Sequence, residues 1–237
     1  MNANVIVCET MDYNDIATCL SDADLKHVAK ISNPEVCNKT ATGRYLLRKV
    51  LPCFFCTDSK DVPLSFNDNG KPFVDMLCDD GELENIGDVF SSLVDTGKVV
   101  YKKINHEAVA VSKFFFNISH SKGLVAFVFG DKECGVDIEK IGEYKPAVAE
   151  RYFFASEYEY IESLKEETDK QLAFCRLWTI KECILKKYGL SLLDGLQRIR
   201  YDCERSILYF DNRVYVADIA TTVLTHGSTR YMLCYSG

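Results

Sequence analysis

An α+β fold is what this sequence predicts, and three observations carry the prediction. Strand-like and helix-like segments come in blocks, strands then helices then strands, an order that favours layered packing over a doubly wound sheet. The 237 residues are 47% hydrophobic, which suffices for one large domain or two small lobes with real cores. No repeat or low-complexity tract interrupts the chain.

Taken in order, residues 1–10 read as a strand around Val5, Ile6 and Val7. Residues 21–51 read as helical and end near Pro52, because proline disfavours a helical residue before it. A loop rich in Pro, Asn and Gly covers 62–73 and contains Gly70-Lys71-Pro72. Leu83, Ile86, Phe90, Leu93 and Val94 recur at helical spacing over 82–94. VVYKKI and AVAVSKFFFNIS read as strands, and LVAFVFG, DKEC and GVDIE as strand, turn and strand. Pro146 suits the first turn of a helix running to about Phe154. Ser156 and Glu159 form a capping box for the next helix, and residues 170–188 make a third. ILYF-DN-RVYVA and TVLTHGSTRYMLCYS close the chain as antiparallel strands.

Composition excludes several classes. The start, MNANVIVCETMDYND, lacks the basic and apolar regions of a signal peptide, and no run of about 18 apolar residues predicts a membrane span. Eleven cysteines, an odd number without disulfide rhythm, fit a reducing cytosol and a cytoplasmic protein. Cys53 and Cys56 form a CxxC inside the apolar run LPCFFC; with no second Cys or His pair at zinc-site spacing, they read as core. A net charge of −7 disfavours nucleic-acid binding. The charge is uneven. Lys26, Lys30, Lys39, Arg44, Arg48 and Lys49 face one acid, Glu35, whereas seven acids and no Lys or Arg lie between Asp75 and Asp95. The basic segment suits an anionic ligand.

Three segments carry candidate chemistry. In Gly135-Val136-Asp137-Ile138-Glu139, strand alternation puts Asp137 and Glu139 on one face, Cα atoms about 6–7 Å apart. Such a pair could converge on a hard cation such as Mg²⁺, or simply line a half-exposed strand. Trp178, Glu182 and Lys186, at i, i+4 and i+8, form one helical stripe; Glu182 and Lys186 also make an ordinary helix-stabilising pair. Phe116-Asn117-Ile118-Ser119-His120-Ser121 ends a strand in small polar residues and a histidine, which suits phosphate oxygens or structural hydrogen bonding.

Together with Gly70-Lys71-Pro72 and RYFFASEY at 151–158, these segments occur in one order. The chain resembles the larger, pseudo-dimeric class of 4'-phosphopantetheinyl transferases that activate peptide and polyketide synthases. The resemblance rests on GKP at 70–72, FNISHS at 116–121, GVDIE at 135–139, RYFFASEY and WTIKECILKKYGLSL at 178–192, with fitting spacing from 114 to 192. It departs in one place: 43 residues separate GKP from FNISHS, longer than the family's link.

The resemblance implies two similar α/β lobes in one chain, related by a pseudo-twofold, with the ligand in the cleft between them. The N-terminal lobe would span 1–113 with an acidic, peripheral insertion at about 76–112. The C-terminal lobe, 114–237, would carry the metal and catalytic motifs. The protein would be a monomer that moves 4'-phosphopantetheine from coenzyme A to a serine of an acyl or peptidyl carrier protein and releases 3',5'-ADP. Asp137, Glu139 and Glu182 would hold Mg²⁺. Lys186 would contact the reacting phosphate, and Lys71, Ser119 and His120 would bind coenzyme A phosphates. Lys39, with Lys26 and Lys30, would meet the 3'-phosphate, and Trp178 would pack its helix in place. Glu182, directly or through a metal-bound water, would be the base. A relative that binds without transferring is the alternative; a P-loop or kinase-like phosphotransferase is disfavoured because neither GxxxxGK[ST] nor GxGxxG occurs.

Overall fold

Val5, Ile6 and Val7 are consecutive β-branched residues with no exposed surface, and they form the heart of β1 (Asn4–Glu9). The computed structural model describes residues 3–55, 60, 62–75, 85–96, 98–104, 113–215 and 218–237. After β1 come α1 (Tyr13–Ile16), α2 (Asp22–Val28), α3 (Pro34–Val50), β2 (Ser65–Phe66), β3 (Pro72–Asp75), α4 (Ile86–Asp95) and β4 (Val99–Lys103). Then follow β5 (Lys113–Ser121), β6 (Leu124–Gly130), β7 (Gly135–Lys140), α5 (Pro146–Tyr152), α6 (Ala155–Ser163), α7 (Glu167–Tyr188) and α8 (Leu192–Gly195). The chain closes with β8 (Ile199–Asp202), β9 (Ile207–Phe210), β10 (Arg213–Val214), β11 (Ile219–His226) and β12 (Thr229–Ser236).

A six-stranded antiparallel sheet has the order β2-β3-β5-β6-β1-β4, and a three-stranded sheet the order β11-β12-β7. Alternation along β1 sends Ile6 and Cys8 into a core with α3, and Val5 and Val7 into a second core with β7 and β12. The far side of β12 meets Ile180, Cys183 and Ile184 of α7. The result is four layers: α3, the large sheet, the β7 sheet and α7. Phe114, Phe116, Phe127 and Phe129 stack in the first core, with Phe127 and Phe129 centroids 5.3 Å apart. Burying each such ring contributes about 1.5–3 kcal/mol.

The α+β class holds, with local corrections. The helical stretch at 21–51 breaks at 29–33, because Asn33 caps α3 through the amides of Glu35 and Val36 and Pro34 takes its first turn. The capping box at α6 is made by Glu157, whose carboxylate accepts from Phe154 N at 2.8 Å; Ser156 and Glu159 do not form it. The loop at 62–73 holds β2 and the start of β3. The Asp211-Asn212 turn has φ of 50° and 62°, as a two-residue hairpin requires. Residues 76–84 and 105–112, and Cys56, lie outside the described residues. Among the described residues, α4 sinks Ile86 and Leu93 into the first core and β4 pairs with β1. β5 and β6 hydrogen-bond into the sheet of β1 and β3, so residues 113–130 share that sheet with the N-terminal strands. No helix among the described residues is long and apolar enough to cross a membrane.

Candidate functional site

β7 is an edge strand of its sheet, so its outer amides need partners. They find them in side chains of β5. Asn117 Oδ1 accepts from Val136 N at 3.1 Å, Ser119 Oγ from Ile138 N at 3.3 Å, and Ser121 Oγ from Lys140 N at 2.9 Å. Residues two apart share a face, so one polar row of β5 closes one edge of β7. The same serines donate onward, Ser119 to Asp137 Oδ1 at 2.8 Å and Ser121 to Glu139 Oε2 at 3.1 Å. Ser119 and the two acids were legible; Asn117 and Ser121 were not singled out, although the two-residue period pointed to them.

From the other side α7 delivers Glu182 and Lys186 on one face, four residues apart. Trp178 packs among Tyr152, Phe153 and Phe174 and seats this helix. Lys186 Nζ stands 2.5 Å from Asp137 Oδ1, 3.3 Å from Glu182 Oε2 and 3.0 Å from Ser119 Oγ. Burial opposes its charge, but Asp137 and Glu182 outweigh that and hold its pKa above the ordinary value. Asp137 is fully buried, and its Oδ2 is one of the few buried polar atoms without a partner among the described residues. Burial, then the neighbouring charge of Asp137, push Glu139 up to about 7. The same two causes raise Glu182. Three carboxylates thus face one ammonium, and the cluster lacks positive charge. Among the described residues no three His, Cys, Asp or Glu side chains close on a single point; Lys186 bridges Asp137 and Glu182 as the local cation.

His120 is exposed at the end of β5, and burial of its ring edge followed by the charge of Lys39 lowers its pKa; Lys186 acts the same way. Lys39, paired with Glu35 at 2.5 Å, therefore belongs to the same electropositive neighbourhood. Lys26 and Lys30 are exposed on and just after α2. Lys71 has other partners. It is buried, and Nζ donates to Glu133 Oε2 at 2.9 Å, Cys134 O at 2.8 Å and Lys187 O at 2.7 Å. These three contacts take up the three donors of the ammonium.

The fold and site define an α+β protein with an acidic, lysine-bridged cluster beside a basic rim, a pattern suited to a divalent cation and a phosphorylated ligand. Residues 133–225 match the model of the 4'-phosphopantetheinyl transferase superfamily. The chain is 28% identical to 4'-phosphopantetheinyl transferase HetI of Nostoc sp. over 78% of its own length and 64% of HetI. It is 25% identical to 4'-phosphopantetheinyl transferase gsp of Aneurinibacillus migulanus, covering 85% of this chain and 70% of that one. It is 28% identical to 4'-phosphopantetheinyl transferase Sfp of Bacillus subtilis, covering 73% and 63%. The matches thus span less than two thirds of HetI and Sfp. Over these regions the chain is similar to 4'-phosphopantetheinyl transferases.

Proposed function

We propose that the protein transfers the 4'-phosphopantetheine group of coenzyme A to a serine of an acyl or peptidyl carrier protein, with Mg²⁺ as cofactor and 3',5'-ADP as the leaving product. The observation that carries this reading is Asp137 Oδ2, a buried carboxylate oxygen without a partner among the described residues, set among two further acids whose pKa values are raised. Hard oxygen donors short of positive charge fit Mg²⁺, and Asp137, Glu139 and Glu182 would hold it. Bound there, the ion would neutralise pyrophosphate charge.

The chain's own residues do the rest. Lys186, on the open side of the cluster with 31% of its side chain exposed, binds a non-bridging oxygen of the phosphate under attack. Ser119 fixes Lys186 and Asp137 together, donating its one hydroxyl proton to Asp137 and accepting from Lys186. His120 and Lys39 receive the 3'-phosphate end. The carrier serine oxygen attacks the pantetheine-side phosphorus, and the bond from that phosphorus to the bridging oxygen breaks. The bridging oxygen leaves with 3',5'-ADP. Glu182 takes the serine proton, and its raised pKa makes it the stronger base. Phosphoryl transfer depends on alignment and charge more than on covalent help, which these residues can supply.

The α–β–β–α layering supports the reading of two lobes around one cleft, working as a monomer in the cytoplasm. The deciding experiment is mass spectrometry of several apo-carriers incubated with the protein, Mg²⁺ and coenzyme A. A gain of one phosphopantetheine on any carrier is expected. Coenzyme A binding with no carrier modified across the panel would favour a non-enzymatic relative.

A further inference from the structure

The last four carbonyls of an α-helix have no partner within it. In α7 two of the four are satisfied by its own continuation. Gly189, left-handed at φ 67°, donates to Lys186 O at 3.3 Å, and Leu190 N donates to Leu185 O at 2.9 Å, closing a Schellman turn. The other two are satisfied from more than a hundred residues away. Lys71 Nζ donates to Lys187 O at 2.7 Å, and Asn69 Nδ2 donates to Tyr188 O at 2.8 Å.

The loop that supplies these donors is itself braced. Asn67 Oδ1 accepts from Asn69 N at 3.0 Å and Lys71 N at 2.8 Å, and Asn67 N donates to Lys71 O at 3.0 Å. It presses on the helix end so closely that a Cβ at Gly189 would lie 2.9 Å from Lys71 Cβ and 3.1 Å from Asn69 Cβ. The same ammonium also holds Cys134 O, the carbonyl just before β7. There the strand and helix touch: a Cβ at Gly135 would collide with Cys183 O and lie 2.8 Å from Lys187 Cβ. One buried cation thus ties the end of the helix that carries Glu182 and Lys186 to the start of the strand that carries Asp137 and Glu139.

We propose that Lys71, with Asn69, is a positioning residue for the transfer reaction: it locks α7 against β7 from outside and sets where Lys186 meets Asp137. The clamp rests on the transferase reading for its effect on rate, but not for its existence. A shift of the helix end along its axis would carry Lys186, one residue before Lys187, out of its 2.5 Å contact with Asp137, and misplacement of that order is costly to alignment.

The test compares Lys71→Met, Asn69→Ala and the wild type in three measurements: single-turnover transfer to an apo-carrier, the dissociation constant of coenzyme A at two salt concentrations, and amide hydrogen exchange over residues 182–190. The clamp predicts a tenfold or greater loss of rate in Lys71→Met and a smaller loss in Asn69→Ala. It also predicts a coenzyme A dissociation constant within threefold of wild type, an unchanged salt dependence, and faster exchange at the end of α7. A tenfold weaker coenzyme A affinity with a shallower salt dependence and unchanged exchange would make Lys71 a phosphate ligand and overturn the proposal. So would wild-type rate in both variants. If Lys71→Met does not fold, Asn69→Ala alone decides between these outcomes. If the wild type modifies no carrier, the transferase reading falls, and the exchange measurement still decides whether the clamp exists.

Discussion

Two lysines five residues apart on α7 each meet a buried carboxylate, and they are built for opposite ends. Lys181 and its partner Glu157 are both fully buried, with Nζ and Oε2 2.9 Å apart. Glu157 spends its remaining capacity on the amides of Phe154 and Tyr201. Lys181 reaches the carbonyl of Ile199 and lies over the rings of Phe153 and Phe154 at 5.4 and 5.1 Å. Every group there has its partner. At Lys186 the ammonium is part-exposed, Asp137 keeps one oxygen unpaired, and Glu139 and Glu182 stand nearby with raised pKa values. A saturated pair holds three elements together; an unsaturated one stays open to a ligand.

The sharpest way to break this contrast is Glu182→Gln, which keeps shape and removes charge and basicity. Single-turnover transfer should fall about 10²–10⁴-fold, while the urea midpoint stays near wild type. Unfolding together with the loss of rate would make the second cluster as structural as the first. Lys181→Met is the converse. It leaves Glu157 buried and uncompensated, at a cost of about 3–5 kcal/mol, read as a lower urea midpoint.

A third, smaller effect belongs to the cation. Mg²⁺ at a hundredfold excess over its dissociation constant should stabilise the folded protein by about 2.7 kcal/mol, and Asp137→Asn should blunt that gain. The pH dependence follows the same imbalance. Glu139 is raised from the ordinary carboxyl value of 4.5 to about 7. Between those values the folded state keeps a proton that the unfolded chain has released. Metal-free protein should therefore lose stability as pH rises from 4.5 to 7, and Mg²⁺ should flatten that slope. A flat profile without metal would remove the imbalance. The smallest effect is at Lys39, whose pair with the exposed Glu35 is solvent-screened and contributes little to stability. Lys39→Ala should barely move the melting temperature yet weaken coenzyme A binding.

Why some of these residues were legible and others were not follows from distance along the chain. Asp137 with Glu139, and Glu182 with Lys186, lie within one strand or one helical turn of each other, so local periodicity exposes them. Glu157 and Lys181 also lie in recognisable segments, but nothing local says that they meet. The contacts of Lys71 with Cys134 and Lys187 are hidden from the sequence, because both are long-range carbonyls and backbone acceptors leave no trace in side-chain pattern. The break at 29–33 was written in Asn33-Pro34, whose cap signal was outweighed by a long run of good helix formers.

The pairing of β1 sets the order in which the chain can fold. Its neighbours are β4, at Val99–Lys103, and β6, at Leu124–Gly130. Both pairings close long loops, and such contacts are slow to form. As the chain leaves the ribosome, the apolar run from Val5 to Cys8 must wait about a hundred residues for its first partner strand. Until then it is a bare, adhesive edge. Chaperone demand during synthesis should accordingly concentrate on the interval before β6 emerges to cover it.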